Sequence, residues 1–226
     1  MIAENYKVVE QQVADACKRC GRSREEVTLI AVSKTKPVEM VQELAAIGVK
    51  DFGENKAQEL VMKTEEIAEP LNWHFIGHLQ RNKVKYVVGK ACLIHSVSSL
   101  RLAEEIQREA EKRGIISKVL VEVNIAEEET KLGISEEDVI RLVKEVAALP
   151  NLRIQGLMAI APPVERPEEN RKYFQKMRWL RQEIAALNLP RTQMKELSMG
   201  MTGDFEVAIE EGATMVRVGT AIFGER

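Results

Sequence analysis

The chain has 226 residues, of which 45% are hydrophobic and 30% charged, with a net charge of −2. That length holds one large α/β barrel or two small domains, and the apolar share can build a core without cross-links. The balanced charge excludes the strongly basic field of a nucleic-acid binder, and no apolar run approaches the roughly 20 residues that span a bilayer.

Three cysteines, Cys17, Cys20 and Cys92, are too few and odd in number for a secreted disulfide framework. Cys17-x-x-Cys20 lacks a second pair for zinc and lies in an amphipathic pattern, so it reads as chance spacing. The N-terminus, Met1-Ile2-Ala3-Glu4-Asn5, turns polar at once and does not read as a signal peptide. The expected setting is a reducing cytoplasm, with no membrane and no nucleic-acid partner.

In chain order, a helix is expected over 3–19, ending near Gly21. The first strand spans 28–33. Pro37 then suits the first turn of a helix carrying Met40, Leu44 and Ile47, which Gly48 stops. Further strands are expected at 50–53, 73–77, 92–97, 118–124, 152–159, 195–199 and 214–219. Helical patterns fit the stretches between them, including 100–112, 136–149 and 170–187, and a short helix spans 205–211. The basic stretch Arg81-Asn82-Lys83-Val84-Lys85 reads as a solvated helix face. Ala161-Pro162-Pro163 through Pro167 reads as one long loop.

Eight strands alternating with helices predict a parallel sheet with right-handed crossovers, and eight units suffice to close a barrel. The fold class expected is therefore α/β: a single (β/α)8 TIM barrel over 1–226 with an extra N-terminal helix. A doubly wound open sheet is the runner-up. Chemistry in such a barrel sits at the C-terminal ends of the strands.

Lys34 ends the first strand after Ile30 and Val32, and alternation places all three on one face. If Ile30 and Val32 fill the barrel, Lys34 points into its mouth. Partial desolvation there favours the neutral amine that Schiff-base chemistry with an aldehyde needs. Spacing alone favours the plainer reading, a solvated lysine at a strand end. Lys36 competes for the role, although its place before Pro37 assigns it to the loop, where its charge would help depress the Lys34 pKa.

A second signal lies at the other end of the chain. Ser198-Met199-Gly200-Met201-Thr202-Gly203-Asp204 follows the seventh strand and leads into a short helix. Small residues let backbone amides approach an anion, and a helix start adds partial positive charge. Arg217-Val218-Gly219-Thr220 ends the eighth strand with a cation, a flexible amide and a hydroxyl. A phosphate site after strands seven and eight recurs in this fold. Of the remaining strand ends, Asn55 can serve a ring hydroxyl without adding charge, Met158 can form an apolar wall, and His78 and Asn124 are further polar groups. His74, His78 and His95 match no metal-ligand spacing.

These segments carry a resemblance. Ala31-Val32-Ser33-Lys34-Thr35-Lys36-Pro37, Phe52-Gly53-Glu54-Asn55, Phe75-Ile76-Gly77-His78-Leu79-Gln80-Arg81-Asn82-Lys83, Gly156-Leu157-Met158, Ser198-Met199-Gly200-Met201 and Arg217-Val218-Gly219-Thr220-Ala221-Ile222-Phe223-Gly224 together resemble the pyridoxal phosphate homeostasis proteins, single-domain relatives of the alanine racemase N-terminal barrel. The likeness runs in order along nearly the whole chain. It implies a fold-type III barrel with pyridoxal 5′-phosphate (PLP) joined to Lys34, and phosphate contacts from Ser198, Gly200, Arg217, Gly219 and Thr220.

Alanine racemase carries a further β-domain whose tyrosine is the second catalytic base. Here the sequence runs to Arg226 just past the last expected strand. Tyr6, Tyr86 and Tyr173 are the only tyrosines, and none falls at an expected strand end. Two-base racemisation needs an acid/base group on each face of the substrate carbon. The expectation is thus a monomeric, non-enzymatic PLP carrier in vitamin B6 homeostasis, buffering or delivering PLP to apoenzymes. The alternatives are a weak amino-acid racemase and a barrel for another phosphorylated metabolite.

Overall fold

A computed structural model describes residues 1–126 and 132–225. Eight parallel strands close into a barrel in sequential order: β1 (Thr28–Val32), β2 (Asp51–Glu54), β3 (Asn72–Phe75), β4 (Leu93–Val97), β5 (Ser117–Val123), β6 (Leu152–Ala159), β7 (Thr192–Met201) and β8 (Met215–Val218). Closure comes from β1 and β8, whose register sets Thr28 opposite Met215 and Ile30 opposite Arg217. The expected (β/α)8 barrel is the observed one, and the open sheet is excluded.

The helices pack outside. The first, α1 (Ile2–Arg19), precedes the barrel as the extra N-terminal helix. Next comes α2 (Val38–Ala46), which begins directly after Pro37, whose backbone is extended, and ends before Gly48 at φ 94°. The crossovers continue with α3 (Ala57–Glu66), α4 (Val84–Val87), α5 (Leu100–Lys112), α6 (Glu136–Ala147), α7 (Arg171–Ala186), α8 (Phe205–Glu210) and α9 (Thr220–Phe223). Serines start two of them: the Leu102 N–H donates to Ser99 Oγ ahead of α5, and the Asp138 N–H to Ser135 Oγ ahead of α6. The basic stretch after β3 forms a 3-10 turn, Arg81–Lys83, and the short α4 instead of one continuous helix.

Period-two alternation sorts the strand residues into two cores. Outward residues such as Leu29, Ala31, Val216 and Val218 join the large cluster between sheet and helices. Inward residues Ile30, Leu93, Leu120, Met158 and Met215 form a small apolar cluster inside the barrel. The rest of the interior is polar: His74, His95, Glu122, Ser198 and Arg217 are all buried. β7 is longer than expected, beginning three residues early after Arg191, whose φ is 55°. Gly156 permits the β6–β7 approach, since a Cβ there would lie 1.9 Å from the Glu196 carbonyl oxygen.

Among the described residues no helix is long and apolar enough to cross a membrane. The three cysteines are free, with Cys17 buried and Cys92 exposed, and no described group of three His, Cys, Asp or Glu side chains could hold a metal.

Candidate functional site

The C-terminal mouth of the barrel holds a cavity of about 340 Å³, a size suited to a small ligand. Its lining joins the first and last units of the chain. Val32, Lys34, Thr35 and Lys36 come from the end of β1, and Asn55 follows β2. Met201, Thr202 and Gly203 follow β7, and Arg217, Gly219 and Thr220 end β8. Ile76 and Ile160 complete apolar walls.

Lys34 lies two residues past β1, in a turn, and is half-buried. The turn is closed by the Lys36 N–H donating to the Ser33 carbonyl at 3.0 Å. Thr35 takes φ 63° at its third position, a conformation a β-branched residue seldom adopts. Lys36 shares the lining, but its Nζ donates to the carbonyls of Gly224 and Glu225 at 3.1 and 2.9 Å. This ties the chain's last described residues to the rim.

Asn55 enters through a close backbone approach. A Cβ on Gly77 would lie 2.2 Å from the Asn55 carbonyl oxygen, so glycine is what lets the end of β3 lie against it. Asn55 Oδ1 is buried and has no hydrogen-bond partner. A buried acceptor without a donor is unfavourable by about 1–3 kcal/mol, and a ligand hydroxyl or imine proton would satisfy it.

On the opposite wall, the turn after β7 is held by Asp204, which accepts from the Met201 N–H at 2.7 Å while Asn170 donates to its other oxygen at 2.8 Å. Thr202 and Gly203 lie within that turn and face the cavity. Gly219 and Thr220 approach from β8. A Cβ at Gly219 would lie 3.3 Å from the Val32 carbonyl, tighter than side chains normally tolerate.

Three of the eight candidate residues fall outside the lining. Met158 is fully buried in the inner apolar cluster beneath the cavity. Gly200, at φ 92°, turns toward α8, where a Cβ would meet Ala208 at 2.6 Å; its smallness serves helix packing. Ser198 is fully buried, with its hydroxyl engaged by neighbours. Lys34, Asn55, Arg217, Gly219 and Thr220 do come together. His78 is exposed and Asn124 half-buried, and both fall outside the lining.

Beneath Arg217 runs a buried chain that the sequence did not disclose. Arg217 Nη1 donates to Ser198 Oγ at 2.6 Å and Nη2 to the Ala159 carbonyl at 2.9 Å. His95 Nδ1 lies 2.9 Å from Ser198 Oγ, and His95 Nε2 lies 3.0 Å from His74 Nδ1. His74 Nε2 in turn lies 3.1 Å from Asp51 Oδ1. Burial alone would push the His74 pKa down, but hydrogen bonds to Asp51 and Cys92 carry it up to about 9. Burial, and then the neighbouring His74 charge, push His95 well below its usual range. The pair therefore reads as charged His74 donating to neutral His95. Burial lowers Arg217 to about 10, which leaves it cationic at neutral pH, and raises Glu122 to about 7 against the pull of Arg217. These histidines are two of the three that metal spacing rejected; their shared inward parity on adjacent strands was the available signal.

The raised His74 pKa has a stability consequence. Its contribution is fully present below the unfolded value near 6.5 and is lost as pH rises through about 9. Asp51→Asn removes the charge that sustains it. Unfolding free energy of the unaltered protein should fall by on the order of 3 kcal/mol between pH 6.5 and 9.5, and this decline should largely vanish in the variant. Urea denaturation across that range measures it; parallel profiles would show that His74 is not charged in the fold. Glu122 titrates in a separate window, with stability falling as pH rises from its unfolded value to about 7.

A barrel with a lysine and two glycine-bearing strand ends at its mouth defines a class, and sequence comparison agrees: the family "Alanine racemase, N-terminal domain" matches residues 3–226. Solved alanine racemases share the fold, as in the Clostridium difficile 630 enzyme, with TM-score 0.78 and 14% identity over 99% of this chain and 57% of that one. Much nearer is the "Pyridoxal phosphate homeostasis protein" of Aquifex aeolicus, 47% identical over 99% of this chain and 97% of its own length. The protein of that name from Escherichia coli K12 is 42% identical over 100% of this chain and 97% of its own. PipY of Synechococcus elongatus PCC7942, solved with PLP bound, has TM-score 0.86 and 34% identity over 99% of this chain and 100% of that one. The chain belongs to the pyridoxal phosphate homeostasis protein family, as its sequence motifs implied.

Proposed function

We propose that this chain binds PLP through a Schiff base at Lys34 and holds it for vitamin B6 homeostasis, buffering its free level or delivering it to PLP-dependent apoenzymes in the cytoplasm. One observation carries the reading. A single cavity brings together Lys34, the unpartnered Asn55 oxygen and the small-residue strand ends of β7 and β8. PLP supplies an aldehyde that condenses with an amine, and its phosphate and ring hydroxyl need separate partners.

The residues present fit those three demands. Lys34 is the amine. Asn55 Oδ1 accepts a hydrogen bond from the ring side of the ligand. Amides and hydroxyls at Thr202, Gly203, Gly219 and Thr220 receive the phosphate, while the buried Arg217 cation attracts a dianion without reaching out to it. Ser198 supports this site indirectly, by orienting the Arg217 guanidinium. Met158 acts in the same way, as packing beneath it.

The relatives named for PLP homeostasis and the PLP-bound PipY structure support a carrier. So does the lining. Among the described residues, the amines at the cavity are Lys34 and Lys36, and Lys36 is turned onto the carbonyls at the rim. Racemisation needs an acid/base group on each face of the substrate carbon. The competing reading is a weakly active amino-acid racemase. Exchange of the alanine α-proton in deuterated solvent, followed by NMR with PLP-loaded protein, separates the two. The carrier predicts no sustained exchange above free PLP; turnover abolished by Lys34→Ala would establish the enzyme instead.

A further inference from the structure

Helix α3 reaches the cofactor lysine from behind, through residues that do not line the cavity. Lys63 is fully buried on the inward stripe Ala57, Leu60, Lys63 of this helix. Its Nζ donates to the Ser33 carbonyl at 2.7 Å and to Glu54 Oε1 at 2.6 Å. Ser33 Oγ also donates to Glu54 Oε1 at 2.6 Å. One turn earlier on the same helix, Glu59 Oε2 accepts from the Thr35 N–H at 2.6 Å. Ser33 and Thr35 are the residues on either side of Lys34, and Glu54 immediately precedes Asn55.

The arrangement needs a reason. Two charges at full burial are a poor way to stabilise a fold, because desolvation offsets their attraction. Burial indeed pushes the Glu54 carboxyl up, with Lys63 pulling it back. Thr35, meanwhile, is held in a left-handed backbone conformation that its side chain disfavours. Both features are explained if the group defines where Lys34 stands. The Ser33 carbonyl, fixed by Lys63, closes the turn from one side, and the Thr35 amide, fixed by Glu59, closes it from the other.

We propose that Glu59 and the buried Lys63–Glu54 pair are positioning residues, which clamp the turn on both sides of Lys34 and so preset its amine for imine formation. Through Glu54 the same pair also fixes the start of the segment carrying Asn55. The proposal rests on Lys34 being the PLP lysine.

The test uses the full chain with PLP itself. Glu59→Ala should leave the thermal midpoint nearly unchanged, because Glu59 is partly exposed. It should speed hydrogen exchange of the Thr35 amide in cofactor-free protein and slow formation of the borohydride-trappable bond at Lys34 by about tenfold or more. Glu59→Gln keeps an acceptor oxygen and should restore both. The Glu54→Leu/Lys63→Met double variant, which leaves no charge unpaired, should fold and show the same slowing. Trapping at the unaltered rate in Glu59→Ala and in the double variant would overturn the clamp. So would slowing that Glu59→Gln fails to restore. Absence of label at Lys34 in the unaltered protein would instead overturn the reading of the lysine, while the Thr35 exchange still reports on the clamp.

Discussion

Lys34→Ala is expected to abolish the imine absorbance of the PLP-loaded protein and to weaken PLP binding by roughly 100-fold, about 2.7 kcal/mol. The expectation follows from the lining of the cavity. The lining groups at Asn55, Thr202, Gly203, Gly219 and Thr220 remain after the substitution, so binding should weaken without vanishing. The covalent bond has no substitute: the other amine in the lining, on Lys36, is committed to the Gly224 and Glu225 carbonyls. Absorbance titration with borohydride trapping and peptide mapping reads the result. A band of unaltered intensity in Lys34→Ala would mean that another lysine holds the cofactor.

Lys63→Ala should be the most damaging single substitution for stability. Removing the ammonium leaves Glu54 fully buried beside the Ser33 hydroxyl alone, with Oε2 already unpartnered. Breaking a buried pair from one side typically destabilises by about 3–5 kcal/mol, which in a chain of this length lowers the melting temperature by about 6–20 °C. Replacing both partners by apolar residues of similar volume, as in Glu54→Leu/Lys63→Met, should recover most of that loss, since Ser33 keeps its bond from the Lys36 N–H. The pH dependence gives a further check. In Lys63→Ala the folded-state pKa of Glu54, already raised by burial, rises further above its unfolded value, so the ionisation penalty should shrink as pH falls toward and below 4, where both states become protonated. It should grow as pH rises from there. Urea denaturation at pH 4 and pH 7 distinguishes this from loss of packing, which would cost the same at both.

Part of this molecule is written locally. Helix α5 falls where its amphipathic period and Ser99 cap place it, and β6 where its apolar run does, because each signal is contained within the element. Boundaries drift where neighbours decide them. β1 ends at Val32 instead of Ser33 because the chain is drawn into the turn that α3 holds. β7 starts early because Thr192 pairs with Ile154.

The site divides in the same way. Lys34, Asn55, Arg217, Gly219 and Thr220 were legible because each stands at or just past a strand end, and the barrel gathers strand ends at one face. Met158, Ser198 and Gly200 lie near the ends of β6 and β7, but their depth and partners depend on how far each strand rises in the closed barrel. Lys63 could have been noticed as a lysine on an apolar stripe; its partners could not, since Ser33 and Glu54 meet it only when β1, β2 and α3 pack together.

The sequence by itself determined the alternation of strands and helices, the family, and the placing of Lys34 just past the end of the first strand. Only the tertiary structure decided that the Arg217 guanidinium is bonded to Ser198 in the cavity wall, that two histidines share a buried chain, and that α3 grips the residues flanking Lys34. Local pattern specifies which face a residue takes. Contacts between side chains 9 to 103 positions apart, such as Lys63 with Glu54 and His95 with Ser198, exist only once the barrel has closed.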